Sequence, residues 1–257
     1  MRKPCDNTWV LIGVLILLIC HACPGAASTG TGELNHEPKT VPLDFKPVPV
    51  APLRMARPGA GWRRAKRTEL KGAPGHGRAA IQLYVNPHSE MVAETHAFLE
   101  DAKGCYDLGT VSCFGGAEVR KTHRPGANTQ WEISGTMGAA CDCLVIIQFD
   151  RKKNRWVRLL REEANNTEQV DLDGDGQKEI VGYFGVGGDV VIYRWNRDHF
   201  ESVDIAQALR CDRADIVQRG KDWLVKSDGT VGARPRVRYF RYAKDNLVAA
   251  PQVRQSP

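Results

Sequence analysis

Residues 145–160, VIIQFDRKKNRWVRLL, show in one stretch the pattern that recurs through the second half of the chain. Apolar, largely β-branched residues run up to Phe149, a charged turn follows, and Trp156 opens a second apolar run. Short runs of β-branched and aromatic residues that are separated by polar turns indicate β-strands, so two such runs around one turn predict a hairpin. The same pattern recurs in VVIYRWNRDHFESVDI and VRYFRYAKDNLVAAP, which predicts hairpins at 145–160, 190–203 and 237–248.

The three hairpins repeat at a nearly constant interval. The bulky residues that bracket the three turns are Phe149 and Trp156, Trp195 and Phe200, and Tyr242 and Leu247. Their offsets are 46 and 44 residues, then 47 and 47. A period near 45 in short strands is typical of propeller blades. The sequence therefore predicts a mainly β fold with degenerate, propeller-like blade repeats; a plain meander of hairpins is the alternative.

The β-rich domain is predicted to extend from residue 79 to residue 250. IQLYV, residues 81–85, has the alternation of a strand, and HSEMVAETHAFLEDAKG follows it. In that segment Ser89 is a suitable N-cap, an apolar stripe follows and Gly104 is a suitable end, which predicts one helix near 89–103.

The stretch DLDGDGQKE, residues 171–179, places four acidic side chains in nine residues between two predicted strands. Carboxylates so close together repel one another unless a cation lies between them. Calcium takes six to eight oxygen ligands, and alternate residues of a tight loop can direct carboxylates inward. Gly174 and Gly176 supply backbone angles that such a loop requires. An acidic turn without an ion is the alternative.

The loop resembles the calcium loops of FG-GAP or VCBS repeats, which occur in integrin-α-like propellers and in many bacterial exported proteins. Their pattern, D-x-D-G-D-G-x-x-D/E followed by an apolar pair, matches this loop, whereas their Gly-Ala-Pro ending is replaced by Gly182, Tyr183 and Phe184. The resemblance covers about 20 residues closely. It implies calcium as the cofactor, with side-chain ligands and one backbone ligand at Asp171, Asp173, Asp175, Gln177 (backbone carbonyl) and Glu179.

A second loop of this kind is not predicted. A shift of the pattern by 47 residues places Gln218, Gly220, Asp222 and Lys226 at the ligand positions, and these residues cannot form the same cage. The sequence therefore predicts one calcium site.

The N-terminus has the features of a secretory signal peptide. Arg2 and Lys3 precede a twelve-residue apolar run, residues 9–20, and small residues follow it. The run is short for a membrane-spanning helix, which needs about 20 apolar residues. We therefore predict a signal peptide at 1–27 and a secreted or cell-envelope protein; the alternative is a lipoprotein anchored through Cys23.

Residues 28–76 are rich in proline and poor in periodicity, so they are predicted to be a linker. Within them, residues 54–71 hold seven Arg or Lys against one Glu, and the whole chain carries a formal charge of +6. Such a run could contact nucleic acid or an anionic membrane. A solvated, flexible linker is the interpretation we prefer, and no nucleic-acid partner is expected.

Five cysteines follow the predicted leader, and in an exported protein disulfides are the ordinary expectation. Cys105 and Cys113 are predicted to form the first pair because they lie close in sequence. Cys141 and Cys143 would share one face of a strand. They are read either as buried structural residues or as a Cys-x-Cys metal or redox site.

No catalytic motif is present in the sequence, since it contains neither a G-x-S-x-G elbow nor an H-E-x-x-H helix. The preferred interpretation is a non-enzymatic, exported calcium-binding β module that binds a protein or a glycan at the cell surface. A secreted or envelope hydrolase, and a purely structural domain, are the alternatives.

Overall fold

The computed structural model describes residues 39–72, 78–86, 94–114, 116–185, 188–231 and 234–251. In these residues the chain is mainly β, as predicted, and contains one short helix. The predicted signal peptide and the lipidation site at Cys23 lie outside the described residues.

Four consecutive antiparallel meanders of four strands make up most of the fold, and each is the greater part of one sheet. Sheet 1 contains β5 (Arg63–Glu69), β6 (Ala80–Val85), β7 (Thr95–Asp101) and β8 (Gly104–Ser112). Sheet 2 contains β9 (Glu118–Thr122), β10 (Gln130–Gly138), β11 (Cys141–Asp150) and β12 (Arg155–Ala164). Sheet 3 contains β13 (Asn166–Val170), β14 (Glu179–Phe184), β15 (Asp189–Asn196) and β16 (His199–Asp204). Sheet 4 contains β17 (Arg213–Arg219), β18 (Asp222–Val231), β19 (Arg234–Ala243) and β20 (Asn246–Ala249).

Helix α1 (Ile205–Leu209) connects sheet 3 to sheet 4. Asp204 caps it, because its carboxylate accepts a hydrogen bond from the backbone N–H of Gln207 at 2.9 Å. Arg210, in the left-handed conformation, ends the helix. Ile205, Ala206 and Leu209 are buried, so the helix contributes to the core between its two neighbouring sheets.

Residues 40–55, the N-terminal strap, add a fifth strand to every sheet. The strap consists of β1 (Thr40–Pro42), β2 (Lys46–Pro47), β3 (Ala51–Pro52) and β4 (Arg54–Met55). These strands pair in turn with β20, β16, β12 and β8, which are the last strands of sheets 4, 3, 2 and 1. The strap therefore crosses the sheets in the reverse of their order in the chain.

The strap and the strand that follows it differ from the predicted linker at 28–76. Residues 39–72 contribute five strands, and Leu43 and Leu70 are buried. Proline is compatible with this arrangement because the strap strands are short and lie at sheet edges, where a missing backbone donor costs little. The remaining residues of that predicted linker lie outside the described ranges.

The three predicted hairpins are confirmed, and their bracketing residues are direct cross-strand neighbours. The pairs in register are Phe149 with Trp156, Trp195 with Phe200, and Tyr242 with Leu247. The first two pairs make edge-to-face ring contacts, with centroids 5.4 and 5.2 Å apart. Such pairs add roughly 0.5–1.5 kcal/mol beyond the burial of their surface.

Three hydrophobic cores join the sheets in chain order. The first lies between sheets 1 and 2 and includes Leu83, Leu99 and Trp131. The second joins sheets 2 and 3 around Ile146 and Phe200, and the third joins sheets 3 and 4. Each inner sheet thus contributes to two cores, so its central strands are apolar on both faces. This explains the continuous apolar run of β11, where Cys143 to Phe149 are all buried.

The predicted helix at 89–103 is wrong over its described part, because residues 95–101 form β7. This strand pairs with β6 on one side and β8 on the other. Ala97, Phe98 and Leu99 are all buried, and a central strand with two covered faces loses the simple period of two. Residues 87–93 lie outside the described ranges.

The predicted disulfide between Cys105 and Cys113 is not formed, and all five cysteines of the described region are free thiols. Cys105 lies at the start of β8, and Cys113 directly follows its end. At about 3.3 Å per residue the two Cα atoms are roughly 26 Å apart. A disulfide needs about 4.4–6.8 Å between them. The extended strand therefore keeps the two cysteines too far apart to bond, although they are close in sequence.

Candidate metal centre

The acidic loop connects β13 to β14 within sheet 3. Val170 and Glu179, which flank it, are cross-strand neighbours, so the ladder holds the two ends of the loop together. Gly174 and Gly176 have φ angles of 77° and 87°, in the left-handed region that favours glycine. These two glycines let the chain turn back on itself within a few residues.

Three of the predicted ligands converge. One carboxylate oxygen each from Asp171, Asp173 and Glu179 lie within 4.8 Å of one another. Calcium–oxygen distances are about 2.3–2.6 Å, so two ligands on opposite sides of one ion are separated by roughly 5 Å. The spacing of the three oxygens therefore suits a single hard cation.

Hydrogen bonds from the loop backbone shape this arrangement. Asp171 accepts the N–H of Gly174 at 2.8 Å and that of Gly176 at 3.0 Å, one on each carboxylate oxygen. Asp173 accepts the N–H of Asp175 at 3.2 Å. These short-range bonds are possible because the loop turns after each aspartate, and they hold the carboxylates in place before any ion binds.

Glu179 is the buried member of the site. It is only 3% exposed, and one of its oxygens accepts the backbone N–H of Leu172 at 3.0 Å. Burial raises the pKa of Glu179 to about 7, with further contributions from the negative charges of Asp173 and Asp175. Burial also raises the pKa of Asp173. Both shifts have one cause: negative charge is held away from water without a nearby positive charge.

No salt bridge in the described part of the chain reaches Asp171, Asp173 or Glu179. A bound divalent cation would remove the repulsion and lower the cost of ionising Glu179. The donor set consists only of oxygens, which is the set that calcium prefers. The three carboxylates are therefore suited to hold a hard divalent cation such as calcium.

The other two predicted ligands are placed differently. Asp175 is exposed, lies outside the converging group, and accepts the backbone N–H of Gln177 at 2.7 Å. The side-chain amide of Gln177 donates to the carbonyl of Trp195 at 3.3 Å, which ties the loop to β15. Coordination by Asp175 and by the carbonyl of Gln177 stays a prediction.

Tyr242 of β19 is a neighbour of the site that sequence reasoning did not identify. It is 4% exposed, and its pKa is raised by burial and, secondly, by the charge of Glu179. Asp173 contributes in the same direction. The repeat analysis singled out Tyr242 as a hairpin residue, but only the packing of sheet 4 on sheet 3 brings it to the loop.

A polar cavity of about 590 Å³ lies beside the loop, between sheets 2 and 3. Its charged lining residues are Glu118, Arg120, Glu132, Asp142 and Lys178. Two of the three carboxylates are already paired: Glu118 accepts from Arg120, and buried Glu132 accepts from Arg124 at 2.8 Å. Gln169 also donates to Glu132 at 3.0 Å. Most of the negative charge in the cavity lining is therefore already balanced by ion pairs.

No family model, no curated protein and no solved structure matches this chain. In the described residues, none of the helical segments is long and apolar enough to cross a membrane.

Proposed function

We propose that the chain is an exported calcium-binding β module that acts as a non-enzymatic interaction domain at the cell surface or outside the cell. The observation that carries the proposal is the convergence of Asp171, Asp173 and Glu179 within 4.8 Å, with no cationic side chain of the described region paired to them. Calcium would neutralise this group and fix the β13–β14 loop.

The proposal includes the likeness to FG-GAP or VCBS repeats and to propeller blades. Two observations support it: the acidic loop lies between two paired strands, and corresponding hairpin residues are 44–47 residues apart. Each repeat coincides with one four-stranded meander, which is the content of a propeller blade. The strap supplies the fifth strand, which a standard blade lacks.

Calcium titration by calorimetry, combined with thermal unfolding, tests the proposal. An ion that binds only the folded state stabilises it by about 2.7 kcal/mol at 100 times its dissociation constant. Calcium should therefore raise the unfolding temperature, and a chelator should lower it again. Magnesium should substitute poorly, because it demands a smaller octahedral shell and retains its water.

Asp173→Ala should abolish the calcium-dependent rise in unfolding temperature. Asp198→Ala is the matched control, since Asp198 is an exposed aspartate in the β15–β16 turn of the same sheet. The control should keep the full calcium effect. Absence of calcium binding at millimolar concentration in the unmodified protein would reduce the acidic loop to an ordinary turn.

A secreted hydrolase is the second candidate, and the polar cavity favours it. Among the three carboxylates of its lining, Asp142 is the one for which the described residues show no ion pair or hydrogen bond to its side chain. General acid–base catalysis usually needs two positioned groups. Glu118 and Glu132 are poorly suited to this role because each already binds an arginine side chain. We therefore prefer the interaction module. Hydrolysis of a polymeric substrate that is lost in Asp142→Asn would reverse that preference.

A further inference from the structure

Strand β5 is the free edge of sheet 1. It pairs with β6 on one side only, and every residue of it except Thr68 is exposed. Its sequence, RRAKRTE, places four basic residues within five positions. The segment that was predicted to be a flexible linker is therefore a fixed strand with positive charge on both faces. Arg64 and Arg67 lie across from Tyr84 and Gln82, whereas Arg63 and Lys66 lie across from Val85 and Leu83.

Further basic residues add to this charge, and we call the whole set the basic ridge. Its members are Arg63, Arg64, Lys66, Arg67, Lys71 and Arg78. Lys121 of β9 adds to its end, since its Nζ donates to the carbonyl of Lys71 at 3.4 Å. The ridge thus continues from sheet 1 towards sheet 2.

Glu69 is the one acidic residue within β5, and the positive charges around it stabilise its ionised form. Its pKa is lowered by a hydrogen bond from Arg67 and by that guanidinium's charge, and further by the charges of Arg78 and Lys71. In the described residues no ion pair or hydrogen bond engages the side chain of Arg63 or Lys66. The ridge therefore has a large excess of positive charge that its own surroundings do not balance.

Protection of an edge strand does not explain this excess. One or two lysines, or a bulge, are enough to discourage pairing with another chain, and β5 already has a register shift between Arg64 and Lys66. Like charges closer together than the Debye length of about 10 Å repel one another at ordinary ionic strength. The repulsion between these basic side chains becomes small when a bound polyanion neutralises them.

The surroundings of the ridge limit the class of polyanion. Single-stranded nucleic acid needs free aromatic faces for base stacking. The nearest indole, Trp62, is half-buried and packs edge-on against His96 and Phe98, with centroids 5.1 and 6.2 Å away. A membrane surface would need apolar side chains that insert into the lipid. The exposed large hydrophobic residues of the described region include none between residues 63 and 72.

We propose that the basic ridge binds a linear, sulfated or carboxylated polysaccharide that lies along β5. The strand offers about 23 Å of extended, charged surface. The guanidinium group of Arg63, which has no ion pair or hydrogen bond among the described residues, can pair with carboxylate or sulfate through two hydrogen bonds. This inference rests on the proposed function as an interaction module, for which it names the ligand class. It does not use the calcium loop.

Binding of a size-defined heparin decasaccharide, measured by calorimetry at 50 and 200 mM NaCl, tests the inference on the full protein. We expect binding that weakens at the higher salt concentration. The double variant Arg63→Gln/Lys66→Gln should weaken binding at least tenfold, because it removes two charges from positions without partners in the described residues. The matched control Lys152→Gln/Lys153→Gln removes two exposed charges from the β11–β12 turn and should bind as the unmodified protein does.

Several results would overturn the inference. These are no binding to heparin, equal loss in the ridge variant and in the control, or tighter binding to a single-stranded oligonucleotide of equal charge or to phosphatidylglycerol vesicles. Calcium titration of the same samples separates this inference from the calcium site. Heparin binding without calcium binding would leave the ridge intact and refute the calcium proposal, and the opposite result would refute the ridge alone.

Discussion

Protons and calcium should compete for Glu179. In the metal-free protein the pKa of this carboxyl is raised by burial from 4.5 to about 7, whereas calcium requires the ionised form. Between pH 8 and pH 6 the ionised fraction of a group with this pKa falls about tenfold. The apparent calcium dissociation constant should therefore rise about tenfold over the same interval.

The same shift affects the stability of the metal-free protein, and its sign is the reverse of that for a salt-bridged carboxylate. Below pH 4.5 the carboxyl is protonated in both the folded and the unfolded states, and it costs nothing. As the pH rises from 4.5 to about 7, the unfolded state ionises first. The folded state then loses about 3 kcal/mol relative to it, since one pKa unit corresponds to about 1.4 kcal/mol.

Calorimetric titration with calcium at pH 6, 7 and 8, together with urea unfolding in a chelator at pH 4.5 to 8, measures both effects. Glu179→Gln should flatten the decline in metal-free stability, because the amide cannot ionise, and it should weaken calcium binding at every pH. A calcium dissociation constant that is equal at pH 6 and pH 8 would refute the coupling. So would a pH-dependence of metal-free stability that is unchanged in Glu179→Gln.

Three further outcomes are expected. Asp171→Ala should weaken calcium binding far more than Asp175→Ala, because only Asp171 belongs to the converging group; equal effects in calorimetry would mean that the loop rearranges around the ion. Leu43→Ala should cost roughly 2–5 kcal/mol in denaturant unfolding, since Leu43 anchors the strap in the third core, and a change below 0.5 kcal/mol would mean that the strap is not held there. N-terminal sequencing of the mature protein should begin near Ser28 or find an acylated Cys23, and recovery of intact Met1 on the soluble protein would contradict export.

The hairpins were predictable because their pattern is local. Phe149 and Trp156 face each other across a short turn, so the two apolar runs and the turn between them lie in one stretch of sequence. The strap was not predictable in this way. Thr40 pairs with Val248, about 200 residues away, and a segment of two- and three-residue strands carries no periodicity of its own.

In the candidate site, too, the residues that are close in sequence were predicted and the distant one was not. Asp171, Asp173 and Glu179 belong to one turn, so their spacing in the sequence was enough to suggest that they meet. Tyr242 reaches the loop only through the packing of one sheet on the next, for which the sequence gives no direct signal. Strand β7 was mistaken for a helix because both of its faces are covered, and its apolar residues then no longer alternate.

The reversed course of the strap sets a time order for folding. The strap leaves the ribosome before the four sheets, but its first strand cannot pair until β20, the last described strand, has been made. Closing a loop of about 200 residues costs roughly 4–5 kcal/mol of chain entropy, which must be recovered by contacts that form late. So long a separation between partners also predicts slow folding. Sheets 1 to 4 are made in that order, so the strap can pair first through β4, then through β3 and β2, and finally through β1.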